Sequence, residues 1–288
     1  MSVYSHSRIT SFQNCPLLYR YRYIDRIKRD TQSVEAFMGK VVHEVLQNLY
    51  DDLGRARASS AEHYGESFST LWRRTWSGNV KIVRDGMTPD DYHAIGRRCV
   101  ETFFSRYHPF ERGQVVGCEV KVEFALDPEG RYRMLGYVDR VDRTGDGALE
   151  IHDYKTGALP RTSGPGSLER DRQLGLYEIA LRQRHPDVTE VRHVWHYLQH
   201  DREFVLQRAT EEIDRTRLGT IRAIQRIEAT THFPARPGPL CSWCEYKDIC
   251  PAWSEARPAV ALPAPPPALI DPPLLPEYEP RTGQYLLF

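Results

Sequence analysis

The sequence of 288 residues lacks an excess of charge, a long apolar run and an apolar N-terminal segment. It carries 39 basic and 39 acidic side chains, which excludes a basic coat over the whole surface, so any polyanion site must be a local patch. No run of about 18 apolar residues occurs, so no membrane-spanning helix is expected. The N-terminus MSVYSHSRITSF has no apolar h-region, which predicts a cytoplasmic protein without a signal peptide.

The proline content divides the chain into a folded part and a tail. The apolar fraction of 40% is ordinary for a globular protein, which excludes disorder of the whole chain. From residue 258 onwards, nine of 31 residues are proline, which lacks a backbone donor and fixes φ. Residues 1–257 are therefore predicted to fold, and residues 258–288 to form an extended, solvated tail.

The hydrophobic period changes along the chain from that of helices to that of strands. Helices are predicted at 7–23 with Ser7 as the cap, at 37–53, within 54–112, at 168–184 and at 210–231. Strands are predicted at VVGCEVKVEFAL, RYRMLGYVDRVDR, ALEIHDYK, VRHVWHYLQ and EFVLQR. In the first strand, Val120, Val122 and Phe124 alternate with polar residues. This order predicts a mixed α/β layer fold.

Two of these strands form an acidic hairpin. Asp139 lies on one arm, while Asp153 and Lys155 project from one face of the other arm. Two adjacent carboxylates repel each other unless a cation lies between them, and a hard divalent ion suits such oxygen ligands. A lysine beside them could stabilise phosphoryl charge, so the set suits metal-assisted phosphodiester hydrolysis. The alternative for an Asp-x-Lys triplet alone is a set of surface charges.

Neighbouring motifs extend this pattern. His43 lies in GKVVHEVL before the sheet, and Gln173 and Tyr177 share a helix face in QLGLY after it. Together with GYVDRVD and IHDYKTG, these motifs resemble, in their order, the RecB-like branch of the PD-(D/E)XK nucleases. That branch includes the RecB and AddB nuclease domains and the CRISPR-associated Fe–S nucleases. The motifs span roughly residues 37–180.

The resemblance implies a restriction-endonuclease-like fold: a mixed sheet core flanked by helices, with a helical insertion. It implies an N-terminal helix in residues 1–36 and a nuclease core in residues 37–235. The insertion would occupy about residues 54–112, and a cysteine-rich segment would follow at residues 236–257.

The resemblance also implies the roles of the site residues. His43, Asp139 and Asp153 would hold Mg²⁺ or Mn²⁺ with the carbonyl of Tyr154, and the imidazole would tilt the preference towards Mn²⁺. Lys155 would be the catalytic lysine. Gln173 and Tyr177 would support the site and position DNA. Glu119 is expected to lie nearby as a helper rather than as a ligand; Glu123 on the same strand could fill the same place.

The cysteines form a separate cluster. Cys241, Cys244 and Cys250 follow the spacing C-x2-C-x5-C, which predicts a metal site in a cytosolic chain, and Cys15 is the natural fourth ligand. Four thiolates could hold either Zn²⁺ or a [4Fe–4S] cluster. The arrangement resembles that of AddB and the CRISPR-associated Fe–S nucleases, with one cysteine before the core and three after it. That resemblance favours [4Fe–4S], in a structural role.

Cys99 and Cys118 lie in helical and strand patterns, respectively, and are expected to be buried thiols.

Two segments suggest partners. YRYRYIDRIKR mixes Tyr19, Tyr21 and Tyr23 with cations, which could form a single-strand-binding patch or a helix with core tyrosines and a solvated charged face. LWRRTW at 71–76 poses the same alternatives.

The terminal QYLLF resembles the bacterial sliding-clamp-binding pentapeptide in Gln284, Leu287 and Phe288, although Tyr285 replaces a usual leucine. The alternatives are a terminus that folds back onto the domain, or a chance match.

The combined hypothesis is a metal-dependent DNA exonuclease or flap-type nuclease of repair or recombination, acting on single-stranded or frayed ends. The chain lacks a P-loop, so any helicase partner would be a separate chain. The alternatives are a CRISPR-adaptation nuclease that trims spacers and a non-catalytic Fe–S DNA-binding module. The second would be expected to have lost a metal ligand or the lysine, and all are present.

Overall fold

A mixed β-sheet with helices on both faces forms the centre of the protein. The computed structural model describes residues 2–159, 168 and 171–253. The strands, in chain order, are β1 Val3–Tyr4, β2 Gln32–Ser33, β3 Val80–Lys81, β4 Gln114–Ala125, β5 Arg133–Arg143, β6 Leu149–Lys155, β7 Val191–Tyr197 and β8 Arg202–Gln207. The predicted class, a mixed sheet flanked by helices, is confirmed.

The main sheet has the order β1-β5-β6-β7-β8, with β4 paired to β5. β5 is antiparallel to β4 and β6, β6 is parallel to β7, and β7 is antiparallel to β8. β1 runs parallel to the first residues of β5. The parallel pair β6 and β7 requires a crossover, which the helix after β6 supplies. β2 and β3 form a separate two-stranded sheet.

The helices begin at recognisable caps. They are α1 His6–Asn14, α2 Pro16–Tyr19, α3 Val34–Gly54, α4 Ala61–Thr75, α5 Pro89–Tyr107, α6 Arg172–Arg184 and α7 Thr210–Ala229. Ser33 and Ser60 cap α3 and α4, and Thr88 forms a capping box with Asp91 at the start of α5. Such caps satisfy amides that the first helical turn leaves free.

The predicted helix at 7–23 is broken in the structure. Cys15 is extended, with φ −157°, because the residue before a proline avoids the helical region, and Pro16 starts α2. A π-helix, Arg20–Ile24, follows α2. The cap of α1 is Ser5, which accepts a hydrogen bond from the Arg8 amide, and not the predicted Ser7.

The sheet separates two apolar clusters. Residues of α1, α6 and α7 pack on one face, and residues of α3, α4 and α5 pack on the other. The predicted apolar stripe of α3 is buried; it comprises Val41, Val42, Val45, Leu46 and Leu49. Among the residues that the structure describes, no helix is long and apolar enough to cross a membrane.

β4 changes face at Glu119. Val122 and Phe124 belong to the first cluster and Val120 packs against it, as the predicted alternation requires, but Cys118 packs against the second cluster. Glu119 has φ +48°, in the left-handed region that residues with a Cβ rarely adopt. The strand therefore twists over at this residue, which lies between the register pairs Cys118–Arg140 and Val120–Val138 with β5.

Candidate active site

The candidate site lies where β5 and β6 separate. Their pairing ends at Arg140 and His152, and Asp139, Asp153 and Lys155 lie just beyond this point. There a side-chain contact takes the place of the backbone hydrogen bonds between the two strands. The Tyr154 amide donates to Asp139 Oδ2 at 2.8 Å. The predicted hairpin residues thus line the opening between the two strands.

Three candidate ligands meet at this opening from three different elements. His43 of α3, Glu119 of β4 and Asp139 of β5 each offer one ligand atom, and these atoms lie within 4.8 Å of one another. His43 Nδ1 is 3.5 Å from Asp139 Oδ1. One imidazole and two carboxylates can hold a divalent ion such as Mn²⁺ or Mg²⁺. Glu119, expected only as a helper, therefore lies close enough to His43 and Asp139 to share a metal ion with them.

The orientation of His43 is fixed from behind. Its Nε2 lies 2.9 Å from the carbonyl oxygen of Tyr154, which can only accept, so Nε2 carries a hydrogen and donates it. That leaves Nδ1 to face Asp139. Histidines that bind metals commonly have their second nitrogen held in this way. The carbonyl of Tyr154, expected as a metal ligand, thus contacts His43.

The charges of the three residues favour a cation between them. Burial and the Asp139 carboxylate raise the pKa of Glu119. Burial lowers the pKa of His43, but its hydrogen bond and charge interaction with Asp139 outweigh that effect and raise it. Both pKa shifts arise because negative charge is concentrated at a partly buried site, where a divalent ion can replace the protons.

Asp153 and Lys155 form a pair beside this group. Lys155 Nζ lies 2.9 Å from Oδ1 and 2.6 Å from Oδ2 of Asp153, whose side chain is 4% exposed. Oδ2 is buried without a hydrogen bond of regular geometry, which suits a further cation contact. Burial raises the pKa of Asp153 to about 7; Lys155 opposes the rise, and the carboxylates of Asp139 and Asp171 add to it.

The Asp153 carboxylate, expected as a metal ligand with His43 and Asp139, is buried beside Lys155 and lies outside the group of three.

Helix α6 places Gln173 and Tyr177 against the lysine, as their shared face predicted. Lys155 Nζ donates to Gln173 Oε1 at 3.1 Å, and Gln173 Nε2 donates to the Tyr177 hydroxyl at 3.3 Å. The Tyr177 ring lies on β5 at Gly136, where a Cβ atom would come within 2.5 Å of it. Only glycine at this position allows the helix to come so close.

Two residues near the lysine were not predicted. Asp171 caps α6 by accepting from the amide of Gln173 at 2.7 Å, and Trp195 Nε1 donates to it at 3.1 Å. Burial raises its pKa, but the charge of Lys155 and the Trp195 hydrogen bond lower it overall. An aspartate before an apolar helical run is a cap signal that could have identified it.

His6 of α1 is the other missed residue. Burial and the charge of Arg172 lower its pKa to about 4, with smaller interactions from Asp171 and Lys155. Its Nδ1 is buried without a hydrogen bond. No local pattern identifies this histidine, because it reaches the site only through the docking of α1.

The four cysteines of the predicted cluster lie around one cavity. Cys15, Cys241, Cys244 and Cys250 line one cavity of about 540 Å³. Backbone amides already point at two sulfurs, from Arg236 to Cys15 at 3.4 Å and from Gly238 to Cys241 at 3.3 Å. Across the described part of the chain, which includes all four, no three cysteine sulfurs lie within 4.8 Å of one another. Cys99 is buried and Cys118 is half-buried.

The tyrosines of the basic and aromatic segment YRYRYIDRIKR pack against the rest of the domain. Tyr19 packs edge-on against Phe12, and Tyr21 lies 5.4 Å from the ring of Tyr246. Tyr23 packs against the first apolar cluster. These contacts favour the alternative of core tyrosines over that of a stacking platform.

Several of the cations in this segment are paired. Arg22 Nη2 lies 2.5 Å from Glu245 Oε1, and Arg29 Nη2 lies 3.0 Å from Asp248 Oδ2. Two residues of LWRRTW, Leu71 and Trp72, are buried. Gln284, Leu287 and Phe288 lie outside the described residues.

A family match agrees with this geometry. The sequence profile of the PD-(D/E)XK nuclease superfamily matches residues 3–251. The chain belongs to the PD-(D/E)XK nuclease superfamily.

A solved structure shares the fold. A candidate exonuclease from Eubacterium rectale superposes with a TM-score of 0.50 at 10% identity, over 90% of this chain and 89% of that one. Identity this low shows a shared fold alone. SSO0001 gives a TM-score of 0.35 at 15% identity, over 85% of this chain and 96% of that one, and this weaker likeness supports no conclusion. No curated protein matches the chain.

Proposed function

We propose that the chain is a Mg²⁺- or Mn²⁺-dependent deoxyribonuclease that acts as an exonuclease on single-stranded or frayed DNA ends in repair or recombination. The observation that carries the proposal is the meeting of His43, Glu119 and Asp139 beside the Asp153–Lys155 pair at the opening of β5 and β6. Membership of the nuclease superfamily supports the reaction class. The choice of DNA ends rests on the sequence resemblance.

Each residue has a role in this mechanism. A divalent ion held by His43, Glu119 and Asp139 would supply positive charge at the scissile phosphate and lower the pKa of a bound water. Asp153 holds the Lys155 ammonium at the edge of that group, and Gln173 accepts from it on the other side. Lys155 is thereby fixed where it can stabilise charge on the phosphate and orient a water.

The test is cleavage of end-labelled single- and double-stranded DNA by protein purified without oxygen, with Mn²⁺, Mg²⁺ or EDTA. Lys155→Met should lower the rate by about 10²–10³-fold, because it removes one charged group that acts in the transition state. Lys121→Met is the matched control, since Lys121 lies on β4 with its side chain 57% exposed, 3.7 Å from Glu123. Equal rates for the two variants would refute the role of Lys155.

The same assay separates the alternatives. DNA that is bound but never cut under any metal condition would favour a non-catalytic DNA-binding module. Trimming of short duplexes with overhangs, and no other substrate, would favour the role in CRISPR adaptation. A ladder of products from one labelled end would identify the polarity of an exonuclease.

We also propose that Cys15, Cys241, Cys244 and Cys250 hold a structural [4Fe–4S] cluster. A tetrahedral zinc site with bonds of about 2.3 Å needs sulfurs about 3.8 Å apart. Four cysteines that line one cavity support a shared centre, and the resemblance of the sequence favours the iron cluster over zinc. The cluster would join the break between α1 and α2 to the C-terminal segment.

The test is iron and sulfide per chain after purification without oxygen. Cys244→Ala should lower iron content and melting temperature together, because it removes one of four ligands. Cys118→Ala is the control, since Cys118 lies on β4 away from the cavity. Unchanged iron in Cys244→Ala, or zinc in place of iron, would overturn the assignment.

The proposed partners rest on the sequence alone. A sliding clamp would bind Gln284, Leu287 and Phe288, and a helicase would be a separate chain. Deletion of the last five residues should abolish binding to a purified bacterial clamp without changing cleavage of free DNA. Clamp binding that survives the deletion would refute the tail as the site.

A further inference from the structure

A buried arginine lies directly behind the candidate site. Arg140, 3% exposed, donates from Nε to both oxygens of Asp142 at 3.1 Å. Its Nη1 donates to the Tyr154 hydroxyl at 2.6 Å and its Nη2 to His152 Nδ1 at 2.8 Å. The guanidinium also lies 4.0 Å from the centre of the Tyr50 ring. Contacts on so many sides leave the guanidinium one position.

Tyr154 connects this fixed position to the candidate site. Its hydroxyl contacts Arg140, whereas its backbone is at the opening between β5 and β6. The amide donates to Asp139 Oδ2 at 2.8 Å, and the carbonyl accepts from His43 Nε2 at 2.9 Å. The ring also meets the His43 imidazole edge-on, with centroids 5.7 Å apart. One residue therefore contacts two of the three candidate ligands.

The backbone of β6 needs this support at Tyr154. β7 pairs with β6 as far as Lys155, but the pairing with β5 ends at His152. On the β5 side, the contact between the Tyr154 amide and Asp139 therefore sets the width of the opening. A small shift of the Tyr154 phenol would move the amide and carbonyl relative to Asp139 and His43.

We propose that Arg140 and Tyr154 are positioning residues that set the spacing of His43 and Asp139 for a divalent ion. This inference rests on the proposed function. Arg140 acts through the Tyr154 hydroxyl, and neither side-chain head touches the ion or DNA. Partners of this kind typically change metal affinity by about 10–100-fold.

The deciding variant is Tyr154→Phe, which removes only the hydroxyl that meets Arg140. Its matched control is Tyr107→Phe, because the partly buried Tyr107 hydroxyl belongs to the same polar network, donating to Glu203 Oε2 at 2.7 Å. This hydroxyl also lies 3.0 Å from His196 Nδ1 and has no described hydrogen bond with a site residue. Both variants lose one hydrogen-bonded hydroxyl, so the melting temperature should fall in both.

The experiment measures Mn²⁺ binding to the full chain by the EPR signal of free Mn²⁺. Tyr154→Phe should weaken binding by about 10-fold, while Tyr107→Phe should stay within about 2-fold of the wild type. In the cleavage assay, Tyr154→Phe should raise the Mn²⁺ concentration for half-maximal rate, with the rate at saturation within about 3-fold of the wild type.

The outcomes separate the two proposals. Equal Mn²⁺ affinities for Tyr154→Phe and Tyr107→Phe would overturn the positioning role and leave the nuclease proposal standing. A wild type that neither binds Mn²⁺ nor cuts DNA would overturn both. Arg140→Lys keeps the charge but loses the planar fork of donors, and it should weaken Mn²⁺ binding at least as much as Tyr154→Phe.

Discussion

The two faces of β5 and β6 carry neighbouring residues of the same motifs and differ in how their charges are balanced. On the buried face, Arg140 pairs with Asp142, and Arg112 pairs with Glu150 and Glu203. At the opening between the strands, which we call the open face, Lys155 pairs with Asp153, whereas Glu119 and Asp139 lie beside the titratable imidazole of His43. The carboxylates of the first face are paired with arginines, whereas those of the second face need an added cation to balance their charge.

Neighbouring residues of one polar motif therefore serve two different functions. GYVDRVD alternates between the faces, so Asp139 serves the opening while Arg140 and Asp142 serve the interior. A substitution on the buried face should therefore act mainly on stability, and one on the open face mainly on metal binding and rate.

The largest effect should follow the loss of Arg140. Arg140→Met should lower the free energy of unfolding by about 3–5 kcal/mol, because it leaves the buried Asp142 with the neutral His152 imidazole in place of a charged partner. Urea unfolding at pH 7 in EDTA would measure it. A change below about 1 kcal/mol would show that the buried face is not a structural unit.

The next effect should follow Asp139→Asn on the open face. Mn²⁺ affinity should fall by at least about 100-fold, more than loss of an outer partner, because a charged ligand is removed. Stability without metal should not decrease, since one of several crowded negative charges is lost. Calorimetry with Mn²⁺ and urea unfolding in EDTA give both values; destabilisation with unchanged affinity would reverse the assignment of the faces.

Acidification should act on the two faces in opposite directions. Burial and Arg140 lower the pKa of His152 to about 4, so between pH 6.5 and 4 the unfolded chain binds the proton first and stability falls as pH falls. Asp153, with a pKa of about 7, is protonated in the folded state before the unfolded one, so it adds stability as pH falls from 7 towards 3.8.

Asp153→Asn should therefore steepen the acid loss of stability, by up to about 1.4 kcal/mol per pH unit between pH 6 and 5. Urea unfolding in EDTA at pH 7, 6 and 5 measures this slope. Identical slopes for the wild type and the variant would contradict the account of Asp153.

The smallest effects should distinguish two glutamates of β4. Glu119→Gln should weaken Mn²⁺ binding by about 10-fold if Glu119 is a ligand. Glu123→Gln should leave it unchanged and shift stability by less than about 1 kcal/mol, because the Glu123 side chain, 43% exposed, pairs at the surface with Arg133. If Glu123→Gln weakened Mn²⁺ binding more than Glu119→Gln did, the assignment of Glu119 as the ligand would be wrong.

Local patterns predicted much of the fold and the approximate membership of the site. Period-two alternation located β4, and the apolar stripe located α3, because both depend on residues close in sequence. The order of four motifs indicated which polar residues would meet. His43, Asp139 and Lys155 could be chosen from this order without knowing any distance between them.

The remaining features depend on long-range geometry. Nothing in the sequence marks the left-handed backbone at Glu119, because that conformation is imposed by the twist of β4 against β5. His6 reaches the lysine only after α1 docks. The contact of His43 with the Tyr154 carbonyl depends on a separation between strands that periodicity does not encode.

The contact between the N-terminal and C-terminal parts of the domain determines when folding can be completed during synthesis. Cys15 meets the amide of Arg236, 221 positions later, and the Leu17 amide donates to the Pro234 carbonyl. During synthesis the ribosome releases α1 long before its partner segment exists, so the first helix made is among the last to be placed. Nascent chains that end before Phe233 therefore lack a ring that packs on Phe12 of α1, whatever the rest of the sheet has already formed.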